Sequence, residues 1–262
     1  MPPIAILTRP DGRNAPLERG LQHAGWQTLA LPALEIQPLS VDAAGPPLPQ
    51  DYDLVVFVSG NAARLYLAQL HAAGMPDWPS GTPAATVGPA SARAFRACPG
   101  VGPDTTVLYP PPEAPAHDSE ALWQVLRARG ALPRRVLLVR GTSGRDWLGD
   151  QLGAAGVHVA RHAVYRRLPA QWPAAAVRQL HEWAEQGRSA TWLLTSGEGI
   201  DAVRAQVQAA GIEAWWQVSR FVITHPSLAP RLGLAGSGQG PVPMVKICLP
   251  ADEAILAAFV AA

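Results

Sequence analysis

The residues best placed to do chemistry are small, polar and recur at one kind of junction. Ser59-Gly60-Asn61, Gly88-Pro89-Ala90-Ser91 and Thr195-Ser196-Gly197 each follow a short apolar run and precede a helical pattern. The first-turn N–H groups of a helix have no intrahelical acceptor, and the helix dipole is positive at that end. Such ends, capped by Ser, Gly or Asn, receive carboxylates or phosphates. Thr8-Arg9 and Arg140-Gly141 stand at two further junctions, with Arg13 and Arg145 nearby, and would add guanidinium contacts. His225-Pro226-Ser227 occupies the last one. Capping alone explains Ser, Asn or Gly at any single junction. A whole set facing one cleft would instead hold a ligand bearing many anionic groups. Tyr165 differs in kind, since it stands at a predicted crossing between domains, at the end of the strand pattern Val157–Tyr165. A phenol keeps its proton at neutral pH (reference pKa ~10) and can assist a departing hydroxyl. A tyrosine packed at a domain junction is the alternative.

Other chemistries lack their residues. Neither Ser59 nor Ser196 lies in a Gly-x-Ser-x-Gly elbow or has an evident His or Asp partner, so a nucleophile is not expected. No phosphate-loop lysine occurs, and Gly236-Ser237-Gly238-Gln239-Gly240 follows no clear strand, so it reads as a pliable linker. His158 and His162 are four apart but fall in a predicted strand, where that spacing crosses the pleat twice, so they read as a partly exposed strand face and no metal is expected. Two cysteines, Cys98 and Cys248, suit a reducing cytoplasm and support no disulfide framework. A net charge of +1 points to neither nucleic acid nor a membrane surface. No signal peptide is evident, and no apolar stretch reaches the ~18 residues of a spanning helix. With 48% apolar and 16% charged residues the chain should fold, as a monomer in the absence of sustained heptads.

The elements that would position these residues repeat. The step from Ser59 to Gly88 is 29 residues, and so is the step from Ser196 to His225. Val107–Pro110 with Asp118–Leu122 is echoed by Lys246–Pro250 with Asp252–Ile255. Val136–Arg145 has its counterpart only at the N-terminus, in Ile4–Arg13. Shared spacing between shared phrases indicates duplicated supersecondary units. The N-terminal unit would then complete the C-terminal domain, making a discontinuous domain of residues 1–36 and 169–262 with residues 37–168 inserted. The chain would cross near Glu35–Leu39 and Tyr165–Leu168, as a two-stranded linker beside a cleft. Uniformly apolar strands alternating with helices predict an α/β architecture. Each domain would be a flavodoxin-like, doubly wound parallel sheet of about five strands, with the turns gathered at the carboxyl ends. Proline is abundant, at 27 residues, and clusters beside strands in stretches that read as stiff loops.

Taken in order, Ile6–Pro10, Phe57–Ala62, Val87–Ala92, Val139–Gly141, Val164–Arg167 and Thr195–Gly197 resemble the uroporphyrinogen-III synthase family, over essentially the whole chain. The resemblance implies a linear substrate, hydroxymethylbilane, whose four rings carry acetate and propionate groups. It implies loss of the terminal hydroxyl, attack by the last ring through its substituted carbon, a spiro intermediate, and closure with that ring inverted. No cofactor is implied. Direct hand-over of the bilane from hydroxymethylbilane synthase is a further expectation. Tyr165 would assist hydroxyl loss, and the turns would bind carboxylates. Because the bilane closes unaided to the uninverted isomer, the catalytic burden would fall on positioning, consistent with the missing nucleophile.

One turn departs from the family pattern. Where Gly-Pro-Thr-Thr-Ala is usual, this chain has His225-Pro226-Ser227-Leu228-Ala229, with apolar Leu228 in the place of a hydroxyl. Either His225 supplies a new carboxylate contact or this turn binds less. The competing reading is a two-lobed module that binds an anionic metabolite without turnover, and a nucleotide-dependent enzyme of the same fold class ranks behind it.

Overall fold

The computed structural model describes residues 1–10, 12–234 and 243–261, so Asp11 and the linker expected at Gly236–Gly240 lie outside the described residues. The chain divides into two compact units, Met1–Ile36 with Leu168–Ala262, and Gln37–Arg167.

In the first unit, β1 (Ile4–Leu7), α1 (Ala15–His23) and β2 (Gln27–Ala30) precede β3 (Leu34–Pro38), which runs out of the unit. After the second unit the chain returns through α6 (Ala174–Glu185), β9 (Ala190–Leu194), α7 (Gly197–Ala209), α8 (Glu213–Gln217), β10 (Arg220–Ile223), β11 (Val245–Ile247) and α9 (Asp252–Val260). The sheet order is β11-β10-β9-β1-β2, with every pairing parallel. This is the flavodoxin-like order. All four residues of β1 are buried. Ile4 and Ile6 join a core with the indoles of Trp172, Trp192, Trp215 and Trp216, while Ala5 and Leu7 join another with Trp26 and Phe259. Alternate residues of one strand thus feed two cores, one on each face of the sheet. Trp192 lies at the centre, 5.1 Å from the Trp216 ring and 6.0 Å from the Trp172 ring.

The second unit contains β4 (Leu54–Phe57), α2 (Gly60–Ala72), β5 (Ala84–Thr86), α3 (Pro89–Arg96), β6 (Val107–Leu108), α4 (Ser119–Ala128), β7 (Arg135–Gly141), α5 (Trp147–Ala154) and β8 (His158–Pro169). The order is β3-β8-β7-β4-β5-β6, six strands rather than five. The extra strand is β3, which enters beside β8; at its end the Leu39 N–H donates to the Val164 carbonyl at 3.0 Å. An extended connection next to an open sheet edge gains these backbone partners, so it joins the ladder.

His162 of β8 is half-buried, with Nε2 2.7 Å from Gln69 Oε1 and its ring edge-on to Tyr66. Burial pushes its pKa below the ordinary imidazole value, and Asp42 opposes this only in part. Asp51 lines the same cavity of the unit. A depressed histidine takes up its proton more readily in the unfolded chain, so folding is most favoured above the unfolded value of ~6.5 and weakens as pH falls through the lowered folded value. Melting temperature is therefore expected to fall between pH 7 and pH 5 more steeply for the parent than for His162→Asn. Parallel curves would assign the acid sensitivity to other groups.

Candidate active site

The turns that the sequence singles out do lie at carboxyl ends of strands, but they do not all open α-helices. Ser59, Gly88 and Ser196 directly precede α2, α3 and α7. Ser59 Oγ accepts from the Ala62 N–H, and Ser196 Oγ from the Gly199 N–H, each at 3.1 Å. The N–H groups of Gly60 and Asn61, and of Ala90 and Ser91, stand ahead of the first intrahelical bonds and form the anion-receiving geometry. Pro89 occupies the first position of α3, where its missing N–H costs nothing.

The other junctions correct the expectation. After Thr8-Arg9, α1 begins only at Ala15, and after Arg140-Gly141, α5 begins only at Trp147. His225-Pro226-Ser227 opens a 3-10 helix (Pro226–Leu232), because Pro230 inside it removes a donor that an α-helix needs.

Several singled-out side chains have partners inside their own unit. Thr8 is buried, with Oγ1 donating to the Leu193 carbonyl at 2.5 Å. Arg9 is buried, with Nη1 2.6 Å from Asp252 Oδ1 and Nε donating to Asn14 Oδ1 at 3.2 Å. Arg140 laces the loop beyond its own strand. Its Nη2 donates to the Gly144 carbonyl at 2.6 Å, its Nε to the Gly141 carbonyl at 3.2 Å, and Nη1 lies 2.8 Å from Asp146 Oδ1. Asn61 accepts from Arg64. The Thr195 carbonyl accepts from Thr224 Oγ1 at 3.4 Å. His225 acts as the cap of its own helix, with Nδ1 accepting from the Ser227 N–H at 3.2 Å. Leu228 is buried in the first unit's core, so a hydroxyl there would lose water without a ligand to meet.

The glycines at these turns serve packing. A Cβ on Gly88 would lie 2.8 Å from that of His117, and one on Gly60 2.8 Å from that of Ala94 in α3. A Cβ on Gly197 would lie 2.9 Å from Arg231 Nε. Gly141 has the tightest relation to the candidate chemistry: its Cβ would sit 2.7 Å from Cε2 of Tyr165.

Tyr165 reaches this position through a β-bulge. Arg140 pairs with Ala163, but Gly141 pairs with Tyr165 instead of Val164. One extra residue on β8 re-aims the side chain at the sheet's rim. The ring is 6% exposed, and its oxygen lies 3.2 Å from Ser59 Oγ. Both residues line a cavity of about 230 Å³ within the second unit, together with Ser119, Ser143, Arg145 and Arg167. Arg145 pairs with Glu120 at 2.7 Å, and Arg167 Nη2 donates to the Ser143 carbonyl at 3.3 Å. With Arg140 also on its wall, the result is a polar pocket with a phenol, serine hydroxyls and three guanidinium groups, suited to a carboxylate-bearing arm.

Ser119, Ser143 and Arg167 were not singled out in the sequence. Arg167 had a legible signal, since residues two apart on a strand share a face and it comes after Tyr165 at that distance. Ser119 and Ser143 had none beyond small size.

A sequence model of the family described as uroporphyrinogen-III synthase HemD matches residues 15–236. The uroporphyrinogen-III synthase of Salmonella typhimurium is 26% identical over 233 residues, covering 86% of this chain and 88% of that protein. The Escherichia coli K12 enzyme of the same name is 26% identical over 234 residues with the same coverage. Among solved structures, uroporphyrinogen-III synthetase from Helicobacter pylori 26695 superposes with a TM-score of 0.58 at 15% identity, over 100% of this chain and 99% of that one. A mutant uroporphyrinogen III synthase from the extremely thermophilic bacterium Thermus thermophilus gives 0.52 at 15% identity, over 98% and 97%. At such identities the two structures speak for the shared fold.

Proposed function

We propose a mechanism on the premise that this chain belongs to the uroporphyrinogen-III synthase family. It is a cyclising lyase that converts hydroxymethylbilane to uroporphyrinogen III, inverting the last ring and releasing water. The observation that carries the mechanism is the Tyr165 phenol, held beside Ser59 on the rim of a polar pocket. Its proton passes to the terminal hydroxyl of the bilane as the C–O bond breaks, and water departs. The electron-poor azafulvene that remains is attacked by the last ring through its substituted carbon. The resulting spiro bond breaks and re-forms with the ring inverted.

Acetate and propionate groups of the substrate meet the N-terminal turns of α2 and α3 in the second unit. Ser59-Gly60-Asn61 and Ala90-Ser91 present backbone N–H groups there, and Ser196-Gly197 of the first unit presents the same kind of turn. Arg145 and Arg167 add charge within the pocket of the second unit. Thr8, Arg9 and Arg140 contribute by shaping their loops, given the internal partners of their side chains. Catalysis comes chiefly from holding the bilane in the conformation that gives inverted closure. The same proposal takes the protein as a cytoplasmic monomer that receives the bilane from hydroxymethylbilane synthase. Among the described residues no helix is long and apolar enough to cross a membrane.

The test is a coupled assay. Hydroxymethylbilane is generated in situ, the protein is added without cofactor, and the oxidised products are separated by isomer. Isomer III is expected to dominate. Isomer I alone, from a folded protein, would put a metabolite-binding module in place of the enzyme.

A further inference from the structure

We infer that Ser59 is a positioning residue for the proton transfer at Tyr165, donating its hydroxyl to the phenol oxygen as that oxygen releases its proton. The inference rests on the reading of Tyr165 as the acid and extends it to the group that steadies the oxygen left behind.

Among the described residues Ser59 Oγ has two hydrogen-bond neighbours, the Ala62 N–H at 3.1 Å and Tyr165 Oη at 3.2 Å. The backbone N–H can only donate, so one lone pair of Oγ is engaged by the cap. Its own proton and its other lone pair remain available to the phenol, 3.2 Å away. While the phenol is protonated, either oxygen can be the donor. Once the phenol's proton has left, its oxygen can only accept, and the Ser59 O–H is the donor within reach. The geometry cannot relax away easily. Ser59 is held in an extended conformation as the cap of a 13-residue helix, and turning its side chain would break that cap. The positive end of the α2 dipole stands behind the serine and favours negative charge on the oxygen it faces.

The step balances. The phenol proton goes to the hydroxyl oxygen of the bilane, the C–O bond electrons go with that oxygen, and water leaves. A phenolate and a cationic azafulvene remain. When the closed macrocycle sheds a proton to restore its pyrroles, the phenolate regains one, so only water is lost overall. Ser59 bonds to the oxygen throughout and transfers nothing.

The decisive experiment is a double-mutant cycle. The parent, Ser59→Ala, Tyr165→Phe and the double variant are compared for kcat and KM in the coupled assay, with melting temperature as a check on folding. Ser59→Ala is expected to lower kcat about tenfold with KM for the bilane within about twofold. In the Tyr165→Phe background the same change should have no further effect on kcat, because the phenol oxygen is absent. Ser59→Thr, which keeps a hydroxyl and a cap, should return kcat to within about threefold of the parent. Ser59→Gly, a substitution N-caps tolerate, carries the test if the alanine variant folds poorly. Equal losses from Ser59→Ala in both backgrounds would reduce the serine to a helix cap and overturn the inference. A parent-like rate in Tyr165→Phe alone would instead overturn the reading of Tyr165 as the acid.

Discussion

Replacing Tyr165 by phenylalanine is expected to lower kcat about a hundredfold, the lower end of the range a positioned general acid contributes. The lower end is chosen because the bilane also loses its hydroxyl unaided. KM should change little, since the ring and the carboxylate-binding turns are kept. The product pattern should shift as well. A slowed enzyme leaves more bilane to close in solution, so isomer I rises at the expense of isomer III. Stability should stay within about 1 kcal/mol of the parent, because only the hydrogen bond to Ser59 is lost from an otherwise identical packing arrangement. Single-turnover rates, isomer separation and thermal melting together check the prediction. An unchanged rate with an unchanged isomer ratio would remove Tyr165 from the chemistry and leave it a packed residue.

The second large effect is expected from Gly141→Ala, a single methyl. Its Cβ would stand 2.7 Å from Cε2 and 2.9 Å from Cζ of the tyrosine, well inside the ~3.5 Å of a comfortable carbon contact. The glycine is paired within β7, and the ring is 6% exposed, so neither has room to retreat. The ring must swing, which carries its oxygen away from Ser59. Overpacking of this kind costs about 1–3 kcal/mol. A kcat loss of at least about tenfold should accompany it, because small misplacements of a catalytic group are costly. Purified Gly141→Ala protein that melts like the parent and turns over at the parent rate would show that the ring has space which the geometry denies it.

Much of the fold was legible because its signals are local. Uniform apolar runs such as Ile4–Leu7 and Leu54–Phe57 are buried on both faces, as parallel strands under helices require. Ser59 and Ser196 were readable as caps because a cap is defined by its own residue type and by the next three positions of the chain. Leu228 was legible as a departure but not as a core residue. Its burial depends on how the 3-10 helix packs against Trp216 and its neighbours, and that packing is not local. The same limit applies to Arg9 and Arg140. Each guanidinium is an equally good receptor for a ligand carboxylate or for an aspartate of its own chain, and Asp252 lies 243 positions from Arg9.

From residue types and short spacings alone one reads that the chain alternates strand and helix, that small polar turns follow the strands, and that Tyr165 ends a strand where a phenol could serve as an acid or pack at a junction. Each of these depends on residue type and short spacing, which local sterics and hydrogen bonding read directly. The packed fold alone reveals that a bulge in β8 sets Tyr165 opposite Gly141, that a side chain on this glycine would collide with the ring, and that Ser59, 106 positions away, meets the phenol oxygen. A bulge is visible only once two strands are paired residue by residue, and the meeting of residues distant in sequence depends on how strands order in a sheet. Both are settled by the packing of the whole unit.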